Sequence, residues 1–475
     1  MEISTIEELK QTHPLYTQNI SDWEFYRAAY KGGTDFIEEV LFQHLRETDE
    51  AYAQRLKEAY NFNYPSSIIH LMNFFLTDTP PLRDPGPLAD RLDWQKFVEN
   101  TDLYGTNIDS FVNEAQKLAS IFGTVGIVVD KPGGIYSKDD MTTSPYVSVY
   151  TIDNVLDWNH VRNPTRNVYE LEYVKLRDNF HTYMVWTKDT WQRYELSNDE
   201  SEIVDYQEGE HGLGEVPFIF LQNIKDIEYP YLGVSDLRDV AMICGAIARN
   251  VSECEQVLKY SAFPMLRMPM EIDGFDSDHA NSDGEVTVGK EAVLDFNPEY
   301  GDGGKPDWLE SAVGETVDGF LKWTDRVTEE AFRSCLLSSL LVQRDKAQTK
   351  SGALLRVEQK QLSALLSRKA TNMIESELEI VRLWCKWQSC EELYERYEIS
   401  KSRQFSIDDL QTELEYTFSA IAELPSETFA KESYKKIANT LLPNLPVSEL
   451  AKIEAEIEAA NLSGDVDDET TKSDT

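Results

Sequence analysis

Basic residues are scarce in this chain: Lys and Arg total 45 against 85 Asp and Glu, a formal net charge of −40 over 475 residues. A protein that grips nucleic acid broadly needs a cationic face, so this balance argues against broad, sticky DNA binding. Two readings of the acidity stay open. It can keep a soluble chain dispersed or suited to salty surroundings, or it can form a wall along which a polyanion slides without sticking. Cysteine is sparse as well. Cys244, Cys254, Cys335, Cys385 and Cys390 form an odd set with no CxxC pair, scattered through helical segments, which argues against a disulfide framework or a zinc site. No apolar run approaches the roughly 20 residues needed to span a bilayer. The opening MEISTIEELKQ lacks the basic and apolar regions of a secretory signal. The expectation is synthesis in a reducing cytosol, with no membrane partner. There is no internal repeat.

Catalytic signatures are also missing. The sequence has no GxxxxGK[ST] phosphate loop, no HExxH and no GxSxG elbow, and its seven histidines stand singly between His13 and His279. Neither an enzyme nor a cofactor is expected, and each lone histidine reads as a core or surface residue. Gly301-Asp-Gly-Gly304 lacks the strand-to-helix context of a phosphate nest and reads as a turn. Asp273, Asp276, Asp278 and Asp283 place carboxylates at near-alternate positions, as calcium ligands can be. Without the glycine and terminal Glu of an EF-hand, the default is a solvated acidic loop and no metal.

What the chain does have is material for cores: 41% hydrophobic residues, with 23 Tyr, 20 Phe and 9 Trp. The length suits two to four packed units. Phe36, Val40, Leu41, His44 and Leu45 predict one helical stripe, and Ile68, Ile69, Leu71, Met72 and Phe75 a second that stops at Thr79-Pro80-Pro81. A helix over 109–122 runs directly into the β-branched strand Gly123-Thr-Val-Gly-Ile-Val-Val-Asp130. From about 144 to 221 the alternation shortens to a period of two, which predicts an antiparallel meander with strands near 146–150, 168–174, 181–186, 190–196 and 216–221. Helices follow at 236–259 and 308–332, around a Gly-, Asp- and Pro-rich insertion with a strand at 291–296. A further long helix is expected at 351–388, then shorter ones to about 460 broken at Leu442-Pro-Asn-Leu-Pro446, and a polar acidic tail over 463–475. The fold class is α+β, mainly helical.

The strings Tyr30-Lys-Gly-Gly33, His44-Leu-Arg-Glu47, Tyr52, Arg55, Ala59, Tyr60-Asn61, Phe74-Phe-Leu, Pro80-Pro81, Phe122 to Asp130, Pro145-Tyr146 and Asn154-Val-Leu-Asp-Trp158 follow one another in a distinctive order. In that order they resemble the portal proteins of tailed bacteriophages. Gly233-Val-Ser-Asp-Leu237 is similar to the start of that family's first stem helix, and Ser351-Gly-Ala-Leu354 to the start of its long wing helix. The likeness spans about 25–388. It implies a wing at 1–230 of helices plus antiparallel strands, stem helices at 235–260 and 309–334, and a clip at 262–308. It further implies a tunnel loop at 335–350, a long wing helix at 351–388, and a helical crown with an acidic disordered tail at 389–475.

The implied function is a ring channel, usually of twelve subunits, at one capsid vertex of the virion, for DNA packaging, retention and ejection. Its implied partners are the major capsid protein, a terminase ATPase and a head-tail adaptor. The clip acids Asp273, Asp276, Asp278 and Asp283 would serve docking. Gln343, Arg344, Lys346, Gln348 and Lys350 form a polar, partly cationic loop between two helices. It reads either as an ordinary connector or as a surface that touches DNA phosphates without base readout. A head-assembly or scaffold-interacting protein with no DNA channel is the alternative.

Overall fold

The computed structural model describes residues 5–78, 80–131, 143–165, 167–262, 265–269, 293–296, 307–309, 314–337, 352–400, 418–419, 421, 426–441 and 447–460. They form a mixed α+β fold, mainly helical, in two units, Met1–Arg403 and Gln404–Thr475. The first unit opens with α1 (Ile6–Lys10), whose start is a capping box: Thr5 Oγ1 accepts from the Glu8 amide and the Glu8 carboxylate from the Thr5 amide. Four helices follow, α2 (Pro14–Lys31), α3 (Gly33–Val40), α4 (Asp49–Glu58) and α5 (Tyr64–Thr77).

The expected stripe from Phe36 to Leu45 is cut short, because α3 ends at Val40, Leu41 is extended and Leu45 is fully exposed. The cause is Arg55, whose buried guanidinium takes the Phe42 carbonyl at 2.7 Å and the Glu47 carboxylate at 2.7 Å. With those groups satisfied outside a helix, the chain turns instead of continuing.

Strand β1 (Leu82–Asp84) and α6 (Leu92–Glu99) lead to α7 (Ile108–Phe122), which passes through Gly123 into β2 (Thr124–Asp130), buried at all seven positions. Next come β3 (Tyr146–Thr151), β4 (Val155–Asn163), β5 (Val168–Arg177), β6 (Thr182–Thr187), β7 (Thr190–Leu196), β8 (Ile203–Glu210) and β9 (Phe218–Gln222). The single meander expected over 144–221 is in fact two sheets. The outer strands β3 and β9 flank β2 in an antiparallel trio, while β4 to β8 make a five-stranded meander. Two of its strands had no clear signal. β4 carries the irregular register of a bulged strand, and β8 is a polar edge strand exposed along most of its length.

Helix α1 covers one face of this meander. Leu9, at 0% exposure, packs with Leu156, Tyr183, Val185, Tyr194 and Leu196. The buried Lys175 ammonium donates to the Glu8 and Gln11 carbonyls and so caps the end of α1.

Beyond β9 lie α8 (Leu237–Ala262), the small sheet of β10 (Met265–Pro269), β11 (Val293–Phe296) and β12 (Asp307–Leu309), and α9 (Gly314–Ser334). Trp308, read as the start of the second helix, belongs to β12, which pairs with β10; α9 begins at Gly314. Helix α10 (Gly352–Trp387) has 36 residues and is about 54 Å long. It is followed by α11 (Glu391–Tyr394) and β13 (Glu398–Ser400), whose Ile399 pairs with Arg83 of β1. In the second unit, helices Glu427–Leu441 and Val447–Ala459 are joined by Lys435, which bridges Glu432 at 2.9 Å and Glu458 at 2.8 Å.

One contact fixes how the β-rich stretch leaves and rejoins the helices. A Cβ on Gly123 would stand 2.2 Å from the Gly233 carbonyl oxygen, and one on Gly233 would stand 2.4 Å from the Gly123 oxygen. Gly123 also has φ +86°, so no side chain fits at either place.

Candidate functional site

Helices α8 and α9 run antiparallel. Asn250 Nδ2 donates to Thr324 Oγ1 at 3.1 Å in mid-helix, while Cys335, just beyond α9, lies 3.9 Å from the Asp236 carbonyl at the start of α8. The α8 sequence allows close approach where it meets α3: a Cβ at Gly245 would stand 3.0 Å from Val40. α9 is different. Ala331 is its one buried residue, and Leu321 and Trp323 are 57% and 42% exposed. Met242 and Leu258 of α8 are likewise exposed. A helix pair with apolar side chains in water on this scale has surface left to cover.

The root of this pair is a buried polar node. Ser235 caps α8, its Oγ accepting from the Leu237 amide at 3.0 Å. The Asp236 carboxylate accepts from Asn223 Nδ2 at 2.9 Å and from the Lys369 ammonium of α10, which is 1% exposed. Lys369 also reaches Ser120 Oγ at 3.4 Å. Asn223 Oδ1 accepts from Gln116 Nε2 at 3.2 Å and Ser120 Oγ at 3.1 Å, and Asn372 of α10 donates to the Gln222 and Asn223 carbonyls. Thus α7, the end of β9, the start of α8 and the middle of α10 meet on one set of hydrogen bonds. Removing one member of a buried ion pair costs far more than the pair contributes, so this geometry is strongly specified.

Two further ion-pair groups hold α10 along its length. Glu377 takes Arg83, which also reaches Asp109 at 2.7 Å; Glu215 takes both Arg382 and Lys386 at 2.6 Å. Salt-bridging holds the Arg83 and Arg382 guanidiniums in their charged form, against the effect of burial.

Asp273, Asp276, Asp278 and Asp283 lie outside the described residues, as do Gln343, Arg344, Lys346, Gln348 and Lys350. Of the histidines, His211 is a core residue: it donates from Nε2 to the Thr187 carbonyl, accepts at Nδ1 from the Leu213 amide, and has its pKa lowered by burial. His160 stacks on Tyr231 with ring centroids 3.3 Å apart, and burial pushes its pKa down to about 4. Among the described residues no cluster of His, Cys, Asp or Glu could hold a metal, and no helix is long and apolar enough to cross a membrane.

No family model matches the chain, and no curated protein does. Solved structures that it is similar to include a chain in the neck of a native GTA particle computed with C12 symmetry, at 10% identity and TM-score 0.42, covering 80% of this chain and 89% of that one. Another is in the neck of an empty GTA particle computed with C6 symmetry, at 11% identity and TM-score 0.41, covering 80% and 90%. A third is in the virion of a native gene transfer agent particle, at 12% identity and TM-score 0.40, covering 80% and 89%.

Proposed function

We propose that this chain is the ring subunit of a phage-type portal, a channel at one capsid vertex through which double-stranded DNA is packaged, retained and ejected. The observation that carries this reading is the antiparallel α8–α9 pair, which leaves Met242, Leu258, Leu321 and Trp323 exposed among charged side chains and is rooted by Asp236 and Lys369 on the long helix α10. The order of sequence segments that resembles portals supports it. Heterologous contacts repeated by a constant rotation close into a ring, and paired helices set around an axis provide such contacts. In this reading 262–308 is the clip that meets a terminase motor and then a tail adaptor, 335–350 is the tunnel loop, and residues from 389 form the crown. The subunit binds the major capsid protein, is made in a bacterial cytoplasm, and performs no catalysis, the work coming from the separate ATPase.

Electron-microscopy class averages of the purified protein test this. Rings with a central hole of about 20 Å, wide enough for a duplex, are expected. Monomers or filaments at every salt and protein concentration would favour the head-assembly or scaffold-interacting alternative.

A further inference from the structure

Helix α10 ends in a Schellman turn. Ser389 has left-handed backbone with φ 50°, the Cys390 amide donates to the Cys385 carbonyl at 2.9 Å, and the Ser389 amide donates to the Lys386 carbonyl at 3.2 Å. This pair of bonds brings the third-last helical residue against the second residue past the cap, a contact most often filled by two apolar side chains. Here both are cysteines. They are buried, at 0% and 6% exposure, and each thiol shifts the titration of the other. Nothing in the spacing of the sequence marks them as a pair, since the turn and not the helix brings them together.

We propose that Cys385 and Cys390 are an oxidation site, an intramolecular disulfide that closes when the folded chain meets a disulfide oxidant such as glutathione disulfide. The order of events follows from the environment. The Cys385 thiol and the nearby Arg91 guanidinium hold the Cys390 thiol below the usual range, while Cys390 and burial hold the Cys385 thiol above it. Burial pushes Cys244 and Cys335 up to about 12, and raises Cys254 as well. Cys390 is also the less buried of the two, so it is the thiol that the oxidant reaches and whose thiolate attacks. It displaces one glutathione thiolate and forms a mixed disulfide; Cys385, giving up its proton, then displaces the second glutathione. Two thiols lose two electrons and two protons in all, and one glutathione disulfide becomes two glutathiones.

The link would fasten the end of α10 where it matters for the wing. Trp384 and Trp387 in the last turns are fully buried, and Trp387 donates from Nε1 to the Val129 carbonyl of β2 at 2.8 Å. A chain made in a reducing cytosol and carried out in a particle meets oxidising surroundings only after release. That timing rests on the portal reading; the disulfide chemistry does not.

The test uses the full-length chain, reduced, incubated with excess glutathione disulfide, alkylated and digested with trypsin without reductant. The peptides Leu383–Lys386 and Trp387–Arg396 are expected joined, lighter by two hydrogens than the free pair, and to separate on reduction. Cys390→Ser removes the joined species, and Cys385→Ser leaves Cys390 carrying glutathione. Recovery of Cys385 and Cys390 fully alkylated while Cys254 carries glutathione overturns the proposal, and so does a link that forms only in urea. These readouts need a folded chain but no ring, so their failure is distinct from failure to assemble.

Discussion

Lys369 and Asp236 show what single residues decide in this protein. Lys369→Met leaves the Asp236 carboxylate buried without its cation, and should cost about 3–5 kcal/mol in urea unfolding. Lys369→Met combined with Asp236→Asn should cost clearly less than the two single changes added together, because neither charge is then stranded. Additive losses would mean that the pair does not act as a unit. Asp130 behaves oppositely. Burial raises its pKa well above the usual carboxylate range, against the Lys131 amide and Tyr146 hydroxyl that favour the charged form, while Asp178 adds to the rise. A raised acid pKa contributes stability below the ordinary value near 3.8 and loses it as pH climbs through the folded-state value. Asp130→Asn keeps an acceptor for the Lys131 amide at 2.6 Å and should therefore stabilise the protein at neutral pH but not near pH 3. Melts of both proteins across that range check it; a pH-independent difference contradicts it.

At the scale of elements, α1 is short enough that its side-chain contacts must hold it in place. Leu9→Ala should cost about 2–5 kcal/mol and loosen α1 from the meander, visible as faster amide exchange in α1 and β6. Elements that stabilise themselves were the legible ones. The helix-to-strand step at Gly123, α8 and α10 could be read from apolar spacing, since each buries a regular stripe. The end of α3 could not, because it depends on Arg55, fourteen residues past Leu41. Nor could the polar node be read from Asn223, whose partner Gln116 is 107 residues away. Lys369 did leave a trace: it is a lysine set among Leu366, Ala370 and Met373, all buried. The connector between α9 and α10 carries the other element-scale prediction. Replacing Arg344, Lys346 and Lys350 together by Ala should leave assembly intact and weaken DNA packaging or retention, most visibly at low salt. A triple variant that packages and holds DNA like the parent at every ionic strength would reduce 335–350 to a connector.

For the whole molecule, net charge sets the terms of assembly. In the proposed ring, twelve subunits of 54.5 kDa would total about 650 kDa, and each copy would bring a formal charge of −40. Like charges at that density repel until salt screens them, so the ring fraction measured by native mass or sedimentation should rise from about 0.01 M to 0.15 M salt. A ring fraction that falls over this interval would show that ion pairs, and not the exposed Met242, Leu258, Leu321 and Trp323, hold neighbours together. The node at the root of that helix pair also imposes a schedule on synthesis. Gln116 leaves the ribosome about 250 residues before Lys369, a delay on the order of 10–50 s at bacterial elongation rates. Asp236, made 133 residues before Lys369, waits without its cation for the latter part of it, and α7 has no α10 to lie against throughout. A nascent chain is thus unable to finish the root of this helix pair early, and a chain truncated before residue 369 never finishes it, which would let quality control tell a partial subunit from a whole one before either joined the proposed ring.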